Sequence, residues 1–92
     1  MIERLPAARS PERWLRDVGL EPQRWSAGPR AEFAPHSHAH AKRLFVLRGR
    51  IRFNDEWLEA PEGIRIPAGF AHSAVAGDDG VDCVEAFEGR NG

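Results

Sequence analysis

The pattern of apolar and polar positions changes period at Gly19. Before it, "SPERWLRDVGL" places Trp14, Leu15 and Val18 at spacings that share one face of a helix. Ser10 can cap the start, Pro11 suits the first helical position, Glu12 complements the dipole and Gly19 can close the end. This predicts a short structural helix packed on the body of the protein. The nine residues ahead of it show no period and read as a loosely held arm. After Gly19, short β-compatible runs are separated by turn residues at intervals of about ten, an all-β signal. The expected strands are 30–33, 44–53, 57–59, 63–66, 72–75 and 81–87. The breaks between them fall at Gly28-Pro29, Asn54-Asp55, Pro61-Glu62-Gly63, Pro67-Ala68-Gly69 and Gly77-Asp78-Asp79-Gly80.

The run "RLFVLRGRIRF" informs the architecture. Leu44 and Val46 share one face, Phe45 and Leu47 the other, so this stretch is expected to be covered on both sides. Beyond Gly49, Arg50 and Arg52 alternate with Ile51 and Phe53, so one face becomes wet. A small sandwich or barrel, with a helix or partner subunit over part of its outside, satisfies both patterns. The expected organisation is an arm and short helix over 1–24, a β-barrel over 25–88 and a frayed tail over 89–92.

Length and charge narrow the function. Ninety-two residues make one domain. A chain this short buries roughly 60–65% of its unfolded surface, so a partner subunit would add stability and a homodimer is expected. Thirteen basic side chains face fourteen acidic ones, and the arginines are scattered. Nucleic acid binding needs clustered cations to displace counterions, so nucleic acid is not expected as a partner, and neither is an anionic membrane. The single cysteine, Cys83, cannot form an intrachain disulfide. "MIERLPAARSPERW" lacks the apolar core of a secretory signal, and no run approaches the roughly 20 apolar residues of a membrane span. The expected location is the cytoplasm.

Chemistry concentrates in "APHSHAHAKRLF". On an extended segment His36, His38, His40 and Lys42 would project to one side. Two imidazoles in H-x-H can serve one ion, and the only other histidine, His72 in "RIPAGFAHSAV", can supply a third. From spacing alone, a solvated polar strand end explains the pattern equally well.

The two segments together resemble the paired motifs of the cupin superfamily. The first motif runs H-x-H, three or four residues, Glu, six residues, Gly; here His36 and His38 lead, Lys42 occupies the Glu position and Gly49 follows. The second, P-x-G-x-x-H, is matched by Pro67, Gly69 and His72. The resemblance spans about residues 32–87 and does not include the N-terminal helix. It implies a small jelly-roll β-barrel, often dimeric, with one divalent metal bound inside. By position the metal ligands would be His36, His38 and His72, while the usual Glu is replaced by Lys42.

All-nitrogen ligation suits Zn, Cu, Ni or Fe(II) better than Mg or Ca. Lysine beside such an ion is costly, because two unit charges about 4 Å apart interact by roughly 4 kcal/mol at an effective dielectric of 20. Three readings stay open. A metal sits on the three histidines while Lys42 turns away, loses its proton or meets an anionic substrate. Alternatively no metal binds, and Lys42 with the histidines forms a cationic pocket for a small carboxylate or phosphate. Or Lys42 points to solvent and the pocket is vestigial.

His40 is read either as a further pocket residue or as a solvated histidine at the mouth. Glu85 alternates with Cys83 and Phe87, so it either faces inward, where it can pair with Lys42, or lies on the surface. Cys83 reads as a small buried hydrophobe, and Trp14, Trp25 and Trp57 as packing residues. No phosphate-cradling glycine loop, Cys-x-x-Cys pair or Gly-x-Ser-x-Gly turn is present. The expected function is a metal-binding cupin with a pocket for a small polar or anionic molecule. The competing class is a metal-free binding or sensing module.

Overall fold

A computed structural model of the chain describes residues 1–89. The expected tail therefore lies, apart from Gly89, outside the described residues. The chain runs β1 (Glu3–Leu5), α1 (Pro11–Asp17), β2 (Gln23–Ala27), β3 (Glu32–His36), β4 (Lys42–Phe53), β5 (Glu56–Glu59), β6 (Gly63–Ile66) and β7 (His72–Phe87). All pairings are antiparallel. The sheet is ordered β1-β6-β4-β7-β2, with β3 also on β7 and β5 also on β4. Its terminal strands, β1 and β2, share no ladder among the described residues. The sheet is thus open, where a closed barrel was expected.

The open sheet nevertheless curls around one core. Leu44, Val46, Ile51 and Phe53 of β4 meet Leu58 of β5, Ile64 and Ile66 of β6, and Ala74, Ala76, Val81 and Cys83 of β7. Along β4 the inward residues are even-numbered before Gly49 and odd-numbered after it. The phase of β7 changes as well, from Ala74 and Ala76 to Val81 and Cys83. Each change has its own irregularity: β4 switches where the ladder passes from Val46↔Cys83 to Arg48↔Asp82, and β7 where it passes from Gly49↔Val81 to Ile51↔Ala76. A slip of one residue turns every later side chain to the opposite face, so each strand needs its own bulge to keep one face inward. The expected break at Gly77–Gly80 is therefore a bulge within one long strand. Gly49 sits at φ +77°, and a Cβ there would run into the Gly80 carbonyl oxygen, so glycine is required.

The outer face of the β4–β7 pair is covered by α1. Leu15, Phe45, Val84 and Ala86 form a second buried cluster, with Trp14 edge-on to Phe45 at 5.5 Å. This is the double-sided burial that the "LFVL" run predicts. Pro11 opens the helix and Gly19, at φ +85°, follows its end. Ser10 occupies the N-cap but its side chain makes no capping bond, and Val18 is exposed rather than packed.

Two strands lie where none was expected. Residues of the supposed loose arm form β1, paired with β6 from Glu3↔Arg65 to Leu5↔Gly63. β2 pairs with β7 from Gln23↔Glu85 to Ala27↔Val81. Its sequence, QRWSA, is polar because only Trp25 and Ala27 turn towards the core from this edge.

Glu88 fastens the end of β7, accepting from Arg43 Nε at 2.8 Å and from Arg65 Nε at 2.7 Å, while its N–H bonds the Ala41 carbonyl. The Arg65 hydrogen bond, and after it that of Arg43, hold the Glu88 carboxyl down at about 2 from an ordinary value of 4.5. A depressed carboxylate pKa stabilises the fold fully above about pH 4.5, and that stability is lost as pH falls towards about 2. Glu88→Gln is expected to cost about 1–3 kcal/mol at neutral pH. Urea unfolding from pH 7 to pH 2.5 should show the variant converging on the wild type as the pH drops; a constant difference would contradict this origin.

Candidate metal centre

Three histidines converge at one end of the curled sheet. His36 ends β3 and is the direct cross-strand partner of His72, which begins β7. His38 follows two residues later, beyond the end of β3. It is fixed by the second motif, because the Gly69 N–H donates to the His38 carbonyl at 2.8 Å, and the Pro67–Phe70 turn closes with Phe70 N–H to Pro67 O at 3.2 Å. Gly69 lies at φ +74°, which favours glycine. The P-x-G turn thus holds the H-x-H segment against the strand that carries His72.

The ring centroids are 4.8 Å apart for His36–His38, 4.4 Å for His36–His72 and 5.3 Å for His38–His72. One ring nitrogen from each lies within 4.8 Å of the other two. His36 Nδ1 is 2.7 Å from the Ala34 carbonyl, and His72 Nδ1 is 3.0 Å from that of Phe70. Carbonyl oxygen only accepts, so both Nδ1 atoms carry the proton, and in the neutral ring the lone pair is then on Nε2. Metal-binding histidines are commonly oriented in this way. The Nε2 atoms of His38 and His72 are buried without a hydrogen-bond partner. Leaving such groups unsatisfied costs about 1–3 kcal/mol each, and a cation facing these nitrogens would remove that cost. The donor set fits a divalent transition metal.

Electrostatics also favour neutral imidazoles. Burial is the main cause lowering the His38 pKa, followed by the positive charge of Lys42 and then His36 and His72. Burial likewise lowers that of His72, which is 2% exposed, against an opposing hydrogen bond to Phe70.

The histidines open on a cavity of about 380 Å³. Trp25, Phe33, Phe53 and Ala74 supply an apolar wall, while Lys42 and Glu85 stand on the polar side with the histidines. Lys42 is only 6% exposed, which overturns the reading in which it points to solvent. Its Nζ lies 3.2 Å from Glu85 Oε1, and the same oxygen accepts the Trp25 indole N–H at 2.7 Å. Glu85 faces inward because the bulge puts odd-numbered residues of late β7 on the core side, in phase with Val81 and Cys83. Cys83 is buried, and burial raises its thiol pKa to about 12, so it behaves as a small hydrophobe.

Of the two readings of His40, the structure supports the solvated one. The chain bends at Ala39 and His40, so the alternation through His36 and His38 does not continue. His40 is exposed and stands outside the cavity lining, next to Gly89. Trp25 was expected only to pack; its role as a donor to Glu85 had no signal in the motif, because β2 itself is hard to see in the sequence.

Because burial lowers the pKa of His38 and His72 below the ordinary 6.5, the unfolded chain takes up protons more readily than the fold. Stability of the metal-free protein should therefore fall as pH drops below about 6.5, and His72→Ala should flatten that dependence. Thermal unfolding between pH 7.5 and pH 5 in the presence of a chelator checks this; equal slopes would contradict it.

No family model matches the chain, and neither does any curated protein. Solved structures do match. An RmlC-like cupin from Shewanella frigidimarina NCIMB 400 is similar at 24% identity and a TM-score of 0.67, covering 74% of this chain. KdgF from Halomonas sp. is similar at 22% identity and a TM-score of 0.67, over 98% of this chain and 82% of its own. The complex of Rhodobacter sphaeroides SigE with the anti-sigma ChrR contains a chain similar at 16% identity and a TM-score of 0.68, covering 95% of this one. The chain spans 64% of the length of the first of these and 44% of the third. With two motifs in order, an antiparallel sheet curled around a single core and these structural likenesses, the chain has the fold of the cupin superfamily.

Proposed function

We propose that the protein is a metal-binding cupin whose pocket takes a small polar or anionic molecule. One divalent transition metal, Zn, Fe, Ni or Cu, would be held by His36, His38 and His72. The observation that carries this reading is the pair of buried, partnerless Nε2 atoms on His38 and His72. Their setting agrees with it, since Nδ1 of His36 and of His72 is committed to a backbone carbonyl. A metal bound there supplies a Lewis acid that polarises a ligand oxygen. The protein's own residues do the rest. Trp25, Phe33 and Phe53 exclude water from one side of the cavity, and Lys42 keeps N–H donors beside its bond to Glu85.

The metal-free reading needs a cationic pocket. Glu85 at 3.2 Å balances the charge of Lys42, so with neutral imidazoles the side chains of the cavity sum to zero. That balance removes the main reason to expect an anion held by lysine alone.

Elemental mass spectrometry of untagged, freshly purified protein is the test. About one equivalent of Fe, Ni, Cu or Zn per chain is expected, and its loss in His36→Ala and His72→Ala. Protein that stays metal-free after incubation with each ion would overturn the reading.

A further inference from the structure

Lys42 occupies the motif position where a carboxylate is usual, and a carboxylate reaches the cavity from another strand. Lys42 opens β4 and pairs with Phe87 across the ladder, while Glu85 lies opposite Leu44. The two side chains meet diagonally on the inner face, with Nζ 3.2 Å from Oε1. That oxygen is held a second time by the Trp25 indole at 2.7 Å, from β2 on the other side of β7. Two donors from two neighbouring strands thus fix one carboxylate oxygen. His36, His38 and His72 line the same cavity, but the group of possible metal-binding atoms within 4.8 Å of one another does not include Glu85.

Resting on the metal-centre reading, we propose that the Lys42–Glu85 pair sets the ligand count of the centre. Lys42 withholds Glu85 from the metal, and Glu85 cancels the ammonium charge that would otherwise repel the ion. The pair leaves the metal on three neutral imidazoles, with coordination positions open to an incoming ligand. Breaking a buried pair from either side should therefore have opposite effects on metal affinity. Removal of the lysine leaves a buried carboxylate whose remaining cationic partner is the metal. Removal of the glutamate leaves a buried ammonium with no counter-charge. Lys42 and Glu85 act as positioning residues in this scheme.

The test titrates Zn²⁺ into chelator-stripped protein by calorimetry and records the visible bands of the Co²⁺ form. Lys42→Met should tighten Zn²⁺ binding by about tenfold or more, since a divalent ion loses one repulsive charge and gains an anionic ligand. Its Co²⁺ bands should shift, and Lys42→Met combined with Glu85→Gln should restore the wild-type bands. Glu85→Gln alone should weaken Zn²⁺ binding by about tenfold or more. Lys42→Leu, which likewise keeps no donor for Glu85, replaces Lys42→Met if circular dichroism shows that variant unfolded. Wild-type affinity in either single variant would overturn the proposal, and so would tighter binding with unchanged Co²⁺ bands, which would mean charge removal alone. If the unsubstituted protein takes up no Zn²⁺, the metal-centre reading falls and this inference with it. A wild type whose uptake is abolished by His72→Ala, but whose affinity is indifferent to Lys42 and Glu85, overturns this inference only.

Discussion

The two bulges that flank the Gly49↔Val81 pair, one in β4 and one in β7, are the constraint on which the rest depends. β4 and β7 are the two longest strands, and each must keep one face on the core while the sheet curls. A strict alternation would carry the inner face of the first half to the outside of the second. The bulge at Val46–Arg48 shifts the phase of β4, so Leu44 and Val46 share a core with Ile51 and Phe53; the one at Gly77–Gly80 shifts that of β7, so Ala74 shares it with Cys83. The β7 shift turns Glu85 inward to meet Lys42, and sends Val84 and Ala86 outward beneath the helix. Core, helix seat and polar end of the cavity are set by two adjacent irregularities of one ladder.

The cavity holds its charge at low cost. An isolated buried ammonium would be prohibitive, yet Lys42 is buried because Glu85 and the Phe87 ring receive it. Glu85 is in turn restrained by Trp25. A buried pair of this kind adds little net stability, since desolvation of both ions offsets their attraction. Its value lies in what it places beside the histidines: a cancelled charge and a carboxylate already engaged. The histidines carry the complementary arrangement, with Nδ1 of His36 and His72 occupied by the backbone and the buried Nε2 atoms of His38 and His72 left without partners.

Much of this was legible in the sequence wherever a residue's neighbours are local. The double-sided burial of Leu44–Leu47 follows from four consecutive apolar residues, and α1 from its proline start and glycine end. The convergence of His36, His38 and His72 was available only through motif order, because the contact joins strand ends 36 residues apart in the chain. β1 and β2 were missed because edge strands with one wet face read as polar coil, and because their pairing partners lie about 60 residues away. The inward direction of Glu85 could be raised but not decided, since it depends on the phase of a bulge. His40 stayed open between pocket and solvent, because it lies four residues past the end of β3, where alternation no longer decides a side chain's direction.

The most direct measurement is anomalous diffraction at the zinc edge from crystals grown with Zn²⁺. The account predicts a single peak about 2.0–2.1 Å from the Nε2 atoms of His36, His38 and His72, with Glu85 still bonded to Lys42. A cavity without a peak, or a peak on other residues such as His40, would contradict it.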